Sequence, residues 1–586
     1  MTATARPLTA RARAEAVPLV SPYAIALVPV LVVALVLRLW GAKHGLPYAY
    51  NADENGHFVP KAIGLFGHSW NPNYFVNPPS YTYLLHIVLL VWFGGREAVS
   101  HTYATNPTEV FLIARATSAI LGTLAVWLVY LAGARFFDRR VGLLGAGLMA
   151  VAFLPVFYSH LGLNDVPTLA PVCLALLGIG GVLRRGQRGD YVVAGIGLGL
   201  ACATKYTGGI MLLPLLGAAA AQYTAAGGRD SALRGLGAAA GAAIVAFLIA
   251  NPYALITPSN FLDGINHQSA ATDEAGGKVG LTQDGGIIYY LWTLTWGLGW
   301  VPALAALGGA VALWRDERRL VWVMVPAPIL FLIFMGTQGR YFGRWLLPIF
   351  PIICLLAAYA ALELADRAGR RRPALRPTFT ALVVVALCLQ GLIFSIHAGL
   401  VLSRPDTRNV ARAWLVAHVP ATTKIVVEPA MPDSWAQDVG RPSPLTSNGY
   451  RWVKFATSRS KFDLNGNPIR EGPGRIVSVE DYEKTTYPSL VDQYERGGYC
   501  YVISASTQSG RAFAAPKVVP QAVKYYRRLR ARSTVVYRVS PYGGANDRVA
   551  FNFDWSFDFY PLSYHRPGPV VTIYHLNRGA CAPTTG

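Results

Sequence analysis

Apolar residues dominate roughly the first 400 positions in long runs, each closed by a short basic, Gly or Pro cluster, and then give way to a mixed pattern. A run of about 17 to 25 apolar residues is long enough to cross a bilayer as a helix. The first extends from about Tyr23 to Leu37. Later runs lie at about Val110 to Ala134, Val141 to Tyr158, Val166 to Leu183, Tyr191 to Thr204, Thr207 to Tyr223, Leu236 to Ala250, Ile287 to Trp314, Leu320 to Met335, Trp345 to Leu364 and Thr378 to Leu400. The pattern predicts a polytopic α-helical membrane protein with about eleven transmembrane helices. One shorter run, Tyr81 to Phe93, is expected to lie flat at the interface, held by Tyr81, Tyr83 and Trp92. Were it to cross, every later Arg cluster would change sides.

After Ser403 the periodicity becomes that of a soluble domain. Arg408 to Val419 has helical spacing, while Lys424 to Val427, Tyr499 to Ser504 and Val570 to Tyr574 are short β-rich runs separated by Gly- and Pro-rich loops. Residues 1–402 are therefore read as a transmembrane part whose first outer loop spans 41–109. Residues 403–586 are read as an extracytoplasmic α/β domain.

Composition agrees with this division, at 53% hydrophobic and 14% charged residues. The net charge of +21 would suggest nucleic acid if the basic residues formed one patch. They fall instead in short clusters between apolar runs, at Arg135 to Arg140, Arg184 to Arg188, Arg229 and Arg234, Arg315 to Arg319, and Arg367 to Arg376. That is the positive-inside pattern of cytoplasmic loops, so no nucleic-acid partner is expected and the protein is placed in the cytoplasmic (inner) membrane. The N-terminus is then inside, Arg371 cytoplasmic and Ser460 extracytoplasmic. No small-residue cleavage site follows the first run, which Arg38 closes, so it reads as an uncleaved helix. Cys173, Cys202, Cys354 and Cys388 lie in apolar runs without metal-ligand spacing. Cys500 and Cys581, on the oxidising side of this topology, are expected to form a disulfide.

Candidate chemistry gathers at the outer ends of the runs. The loop from Tyr48 to Tyr83 carries Asp53 and Glu54, followed by His57, Lys61 and His68. Exposed loop carboxylates are ordinarily just solvated, but these leave a helix end opposite other outward ionisable groups. Asp165 either caps the helix that starts at Val166 or Pro167 or faces the same site. Lys205 either snorkels from a turn or faces a cavity. Arg340 and Arg344 would share a face if their segment is helical, on the side where topology gives arginine no reason to be. They serve either a phosphate or interfacial anchoring, and Tyr341 beside them is counted as a substrate-binding candidate. One carboxylate base plus a cationic clamp suits transfer of a sugar from a lipid phosphate, since a phosphate leaving group needs no general acid.

These residues, with NPPSYTYLL, Arg115 in ARATSAILG, the TKY of Thr204 to Tyr206 and RYFGRWLLPIFP, occur in an order that resembles the superfamily C membrane glycosyltransferases. Within that superfamily the likeness is to the protein O-mannosyltransferases and aminoarabinose transferases. The resemblance covers about the first 400 residues. It implies a polyprenyl-phosphate sugar donor, Asp53 as catalytic base, Glu54 and Asp165 as site carboxylates, and Lys205 with Arg340 or Arg344 as phosphate contacts. Asn77-Pro78-Pro79 stands where many members have His-Pro-Pro. The acceptor, whether lipid, glycan or protein, stays open, as does a divalent metal, and no other cofactor is expected. Two alternatives remain beside an inverting glycosyltransferase: a transporter or flippase of a lipid-linked precursor, and an oligosaccharyltransferase needing a divalent metal between its loop carboxylates.

Overall fold

The computed structural model describes residues 22–67, 69–273, 285–339, 341–438, 451–455, 461–462, 468–469, 482–543, 562 and 564–578. Every run expected to cross the membrane is helical or largely so. Helix α1 (Pro22–Leu39) leads into the first loop, where a π-helical turn at Glu54–Phe58 runs into α2 (Val59–Gly64). The short run becomes α3 (Ser80–Phe93), followed by α4 (Arg96–Thr105), with a 97° bend between them. Gly94 makes that corner in the left-handed region, φ 76°, which a side chain would resist. The second arm of the corner was not expected from sequence.

Helix α5 (Thr108–Phe136) is the long central rod, and α6 (Arg139–Val151) and α7 (Phe153–Tyr158) form one interrupted span. The interruption has an identifiable cause. Ala152 leaves the helical region and Pro155 has no N–H, so the carbonyls of Met149, Ala150 and Val151 lose their helical donors. In a bilayer each freed group must find a partner inside the protein. Arg38, fully buried, donates to Met149 and Ala150 at 3.0 Å each, and Ser395 Oγ donates to Val151 at 2.9 Å.

Helices α8 (Leu169–Arg185), α9 (Arg188–Thr204), α10 (Leu212–Tyr223) and α11 (Arg229–Ala250) follow. Gly195 and Gly199 of α9 lie against Ala239 and Ala243 of α11, so the two helices run parallel. A Cβ at either glycine would stand 2.2 Å from a carbonyl oxygen of α11. Small residues four apart are what let membrane helices approach this closely. Two short helices, α12 (Tyr253–Ile256) and α13 (Pro258–Asp273), lie beyond α11. Next come α14 (Gly286–Leu294) and α15 (Trp300–Asp316), joined through a π turn, then α16 (Arg318–Met324) and α17 (Pro326–Gly336). The bundle closes with α18 (Phe350–Arg371) and α19 (Arg376–Leu402).

Among the described residues, seven helical stretches are long and apolar enough to cross a membrane, or eight if the bent α3–α4 pair is one span. The protein is thus a multi-pass membrane protein. The expected count of about eleven includes also the interrupted α6–α7 pair, α8, α9 and α10; α8 and α9 have 17 residues each, at the lower limit of a span, and α6 and α10 have 13 and 12. The basic clusters meet at one end of the bundle, tied by Arg135–Asp190, Arg140–Asp366 and Arg367–Asp316 ion pairs.

The C-terminal part opens with α20 (Thr407–His418) and strand β1 (Lys424–Val427). Strand β2 (Val453–Lys454) and the small hairpin β3–β4 (Lys461–Phe462, Pro468–Ile469) come next, followed by α21 (Ser489–Arg496), β5 (Tyr501–Ala505), α22 (Ser506–Ala514), α23 (Pro520–Arg532), β6 (Ser533–Val539) and β7 (Val571–Leu576). The main sheet has the order β2-β1-β5-β7-β6, parallel across β2, β1 and β5 and antiparallel across β5, β7 and β6. Side chains alternate between its faces. Ile425, Val427, Ile503, Val571 and Ile573 pack toward α20, while Val426, Val502, Tyr574 and Leu576 pack toward α21 to α23. Tyr48, from the first loop of the membrane part, is built into the α20 face of this core. Cys500 is disulfide-bonded; Cys581, expected as its partner, lies outside the described residues, as does Ser460.

Candidate functional site

Four ionisable side chains from four separate segments form a chain of alternating charge at the end of the bundle opposite the basic clusters. Arg344 Nη2 donates to Asp53 Oδ2 at 2.8 Å, Arg344 Nε stands 3.7 Å from Asp165 Oδ2, and Lys205 Nζ is paired with Asp165 Oδ1. Asp165 is 4% exposed, Lys205 and Arg344 are largely covered, and Asp53 is the open end at 38%. Asp53, Asp165, Lys205 and Arg344, all candidates from the sequence, come together although up to 291 positions separate them.

Each member is set by its local chain. Asn51 Oδ1 accepts from the backbone N–H of Asp53 and Glu54 at 3.0 and 3.2 Å, fixing the start of the π-helical turn. Lys205 follows the last residue of α9 in an extended conformation, so its side chain leaves the helix at the turn after α9. Asn164 Nδ2 donates to Thr204 O at 2.8 Å and ties that turn to the one carrying Asp165. Arg344 lies in a 3-10 segment at Gly343–Ile349, its guanidinium 4.6 Å from the centre of the Phe342 ring and 5.9 Å from that of Tyr158.

Other expectations need correction or relocation. Arg340 lies outside the described residues, and the helical face it was to share with Arg344 is broken because Phe342 is extended, at φ −136° and ψ 140°. Tyr341 is 8% exposed, its ring packed 4.6 Å from Tyr289 and 6.3 Å from Tyr290. Glu54 turns away from the cluster. Both of its oxygens accept from Arg115 at 2.8 Å, Gly162 N–H donates to one of them at 2.8 Å, and the side chain is fully buried. Direct contact with substrate, expected for Glu54, is closed to a carboxylate so engaged. His57 stacks on Tyr74 at 4.8 Å with Lys61 at 5.7 Å from the same ring, beside the cluster rather than in it.

Arg115 itself was named from sequence only as part of a motif. It also donates to Ala42 O and His44 O at 2.7 and 2.8 Å, so one guanidinium holds both ends of the stretch that leads to Asp53. The available signal was a lone charge inside an apolar run, which demands a buried partner. Next to the cluster an apolar cleft of about 240 Å³ opens between α3, α5, α8 and α9, lined among others by Leu121, Leu124, Leu128, Leu174 and Leu200. Its polar end reaches Thr204 and Pro167, neighbours of Lys205 and Asp165.

Among the described residues no group of three or more His, Cys, Asp or Glu side chains comes together. The two carboxylates that do converge have Arg344 between them and Lys205 on Asp165. A divalent cation there would sit against two positive charges, so these residues do not fit the metal that an oligosaccharyltransferase requires.

Residues 109–256 match the family described as dolichyl-phosphate-mannose-protein mannosyltransferase. Across the solved structures, the ArnT of Cupriavidus metallidurans in its apo state superposes with a TM-score of 0.51 at 13% identity, covering 95% of this chain and 98% of that one. The chain thus shares the fold of that protein along nearly its whole length. The apo oligosaccharyltransferase of Archaeoglobus fulgidus superposes with a TM-score of 0.51 at 15% identity, covering 89% of this chain and 73% of that one. No curated protein matches the sequence. The likeness in fold thus spans the C-terminal part as well as the bundle, beyond the stretch over which the motifs were legible.

Proposed function

We propose that the protein is an inverting glycosyltransferase that moves a sugar from a polyprenyl phosphate to an acceptor hydroxyl at the outer face of the cytoplasmic membrane. In this reading residues 1–402 form the membrane catalytic part and 403–586 an extracytoplasmic domain. The observation that carries it is the Asp53–Arg344–Asp165–Lys205 chain, open at Asp53 and with two cations held by one nearly buried carboxylate. Lys205 and Arg344 bind the donor phosphate, and Asp165, nearly buried, holds both cations in place. The apolar cleft ending at Thr204 takes the first part of the prenyl chain.

In this state Asp53 Oδ2 is occupied by Arg344. An arriving phosphate competes for that guanidinium and leaves the oxygen free for the acceptor. The acceptor O–H proton passes to Asp53, the acceptor oxygen bonds to the anomeric carbon, and the carbon–oxygen bond to phosphate breaks. Its electron pair goes to the phosphate, where Lys205 and Arg344 stabilise the added charge. Displacement in one step inverts the anomeric centre. Glu54, through Arg115, positions the base.

Asp53→Asn keeps the shape and removes the base, so turnover of polyprenyl-phosphate sugar should fall about a hundred- to ten-thousand-fold, with binding of undecaprenyl phosphate retained. Activity in excess chelator should persist. Near-normal turnover by Asp53→Asn would end this mechanism, and loss of wild-type turnover in chelator would favour the metal-dependent alternative.

A further inference from the structure

The C-terminal part reaches into the loop that bears Asp53, and the contacts are specific. Tyr48 is 6% exposed and packs with Ala411, Leu415 and Ile425, with the Arg412 guanidinium 5.3 Å from its ring centre. Tyr50 carries the Arg408 guanidinium 3.5 Å above its ring. Arg408 is held from behind by Asp406 through two bonds of 2.8 and 2.7 Å. Its neighbour Asn409 accepts from the Tyr50 hydroxyl and donates to Gly45 O and Leu46 O, both at 3.2 Å. Arg408 and Arg412 are one turn apart on α20, so a single helix face grips the loop from residue 45 to residue 50.

Three residues after Tyr50 comes Asp53, whose N–H is fixed by Asn51 Oδ1. From the membrane side Arg115 holds Ala42, His44 and Glu54. The stretch 42–54 is therefore clamped by two independent arms, one rooted in α5 and one in α20. We propose that Arg408, Asn409 and Tyr50 form a positioning latch through which the C-terminal part sets the place of the catalytic carboxylate; this rests on the reading of Asp53 as the base. A displacement of about 1 Å at a reacting group costs on the order of a hundredfold in rate. The latch grips the chain on the Asp53 side of the Asp53–Arg344 pair, so it acts first on the base.

The test uses the full-length protein in three variants, Tyr50→Leu, Arg408→Gln and Asn409→Ala, with Arg408→Lys as rescue. Arg528→Gln, which breaks an ion pair with Asp492 on the opposite face of the sheet, controls for general weakening of the domain. Binding is read with undecaprenyl phosphate, the rate as label transfer from polyprenyl-phosphate sugars in membranes of a deletion strain, and loop order as hydrogen exchange over residues 48–58. We expect rates to fall about tenfold or more, undecaprenyl phosphate binding to change less than about twofold, and exchange over 48–58 to quicken. Arg408→Lys should recover part of the rate, and Arg528→Gln should change none of these. Unchanged exchange and rate in the three variants, or loss of binding in parallel with rate, overturns the latch. If Asp53→Asn is inactive while the latch variants run at full rate, the base reading stands and the latch alone fails; full activity in Asp53→Asn removes the base reading itself.

Discussion

Asp53 and Glu54 are neighbours in sequence and opposites in environment. Consecutive residues on a helical turn point about 100° apart, so one faces the open cluster and the other faces α5. Nothing in an acidic pair tells which is which until Arg115 is placed. The outward ionisable residues were legible because charges at the ends of apolar runs are few and each demands a reason; their pairing was not, because pairing is set by the three-dimensional approach of α5, α9 and the segment before α18. Lys205 shows what the geometry adds. It is covered and paired with Asp165, where a snorkelling side chain would point away from protein. Lys205→Ala should weaken binding of undecaprenyl phosphate by about tenfold to a hundredfold, the worth of one charge-assisted contact of roughly 1.5 to 3 kcal/mol. Unaltered binding in a titration of the folded variant would return Lys205 to the role of an interfacial turn residue.

Elements were easier to read than residues, because hydrophobic periodicity survives almost any tertiary context. The runs that became α5, α9, α11 and α18 kept their expected places. The expectation for Tyr81 to Phe93 captured one arm of a corner and missed the other, since Arg96 to Thr105 is polar and its helix is short. Gly195 and Gly199 read from sequence as two more glycines in a Gly- and Ala-rich run, yet they set how closely α9 approaches α11. Gly199→Ala should lower the midpoint of thermal unfolding, as overpacking by about 1 to 3 kcal/mol does. Gly241, on α11 with open space where its Cβ would go, should accept Ala without loss and gain helix propensity. Equal midpoints for the two variants would show that the helices can part at no cost.

At the scale of the whole molecule, the C-terminal part, a sheet with its helices, was announced by a change of period in the sequence. Its sheet order was not, because the order β2-β1-β5-β7-β6 pairs strands far apart in the chain, which local periodicity cannot specify. Inside that part Glu428 is fully buried at the end of β1, accepting from Ser504 Oγ at 3.1 Å, Ala505 N–H at 2.7 Å and Tyr526 Oη at 2.9 Å. Burial nonetheless pushes its carboxyl up to about 8 from 4.5. An acid held protonated in the folded state stabilises at low pH and loses that contribution as pH rises from the unfolded value through the folded one. Stability of the domain should therefore fall between pH 4.5 and about 8, and Glu428→Gln should flatten the slope; parallel pH profiles for the two proteins would refute it. Tyr48 has a consequence of another kind. It is made long before β7, yet the core that receives it contains Val571 and Ile573 of that strand. Until β7 has been synthesised the loop that carries Asp53 waits with one arm unfastened. A chain stopped before β7 would therefore show quality-control proteases an unburied tyrosine on a half-fastened loop.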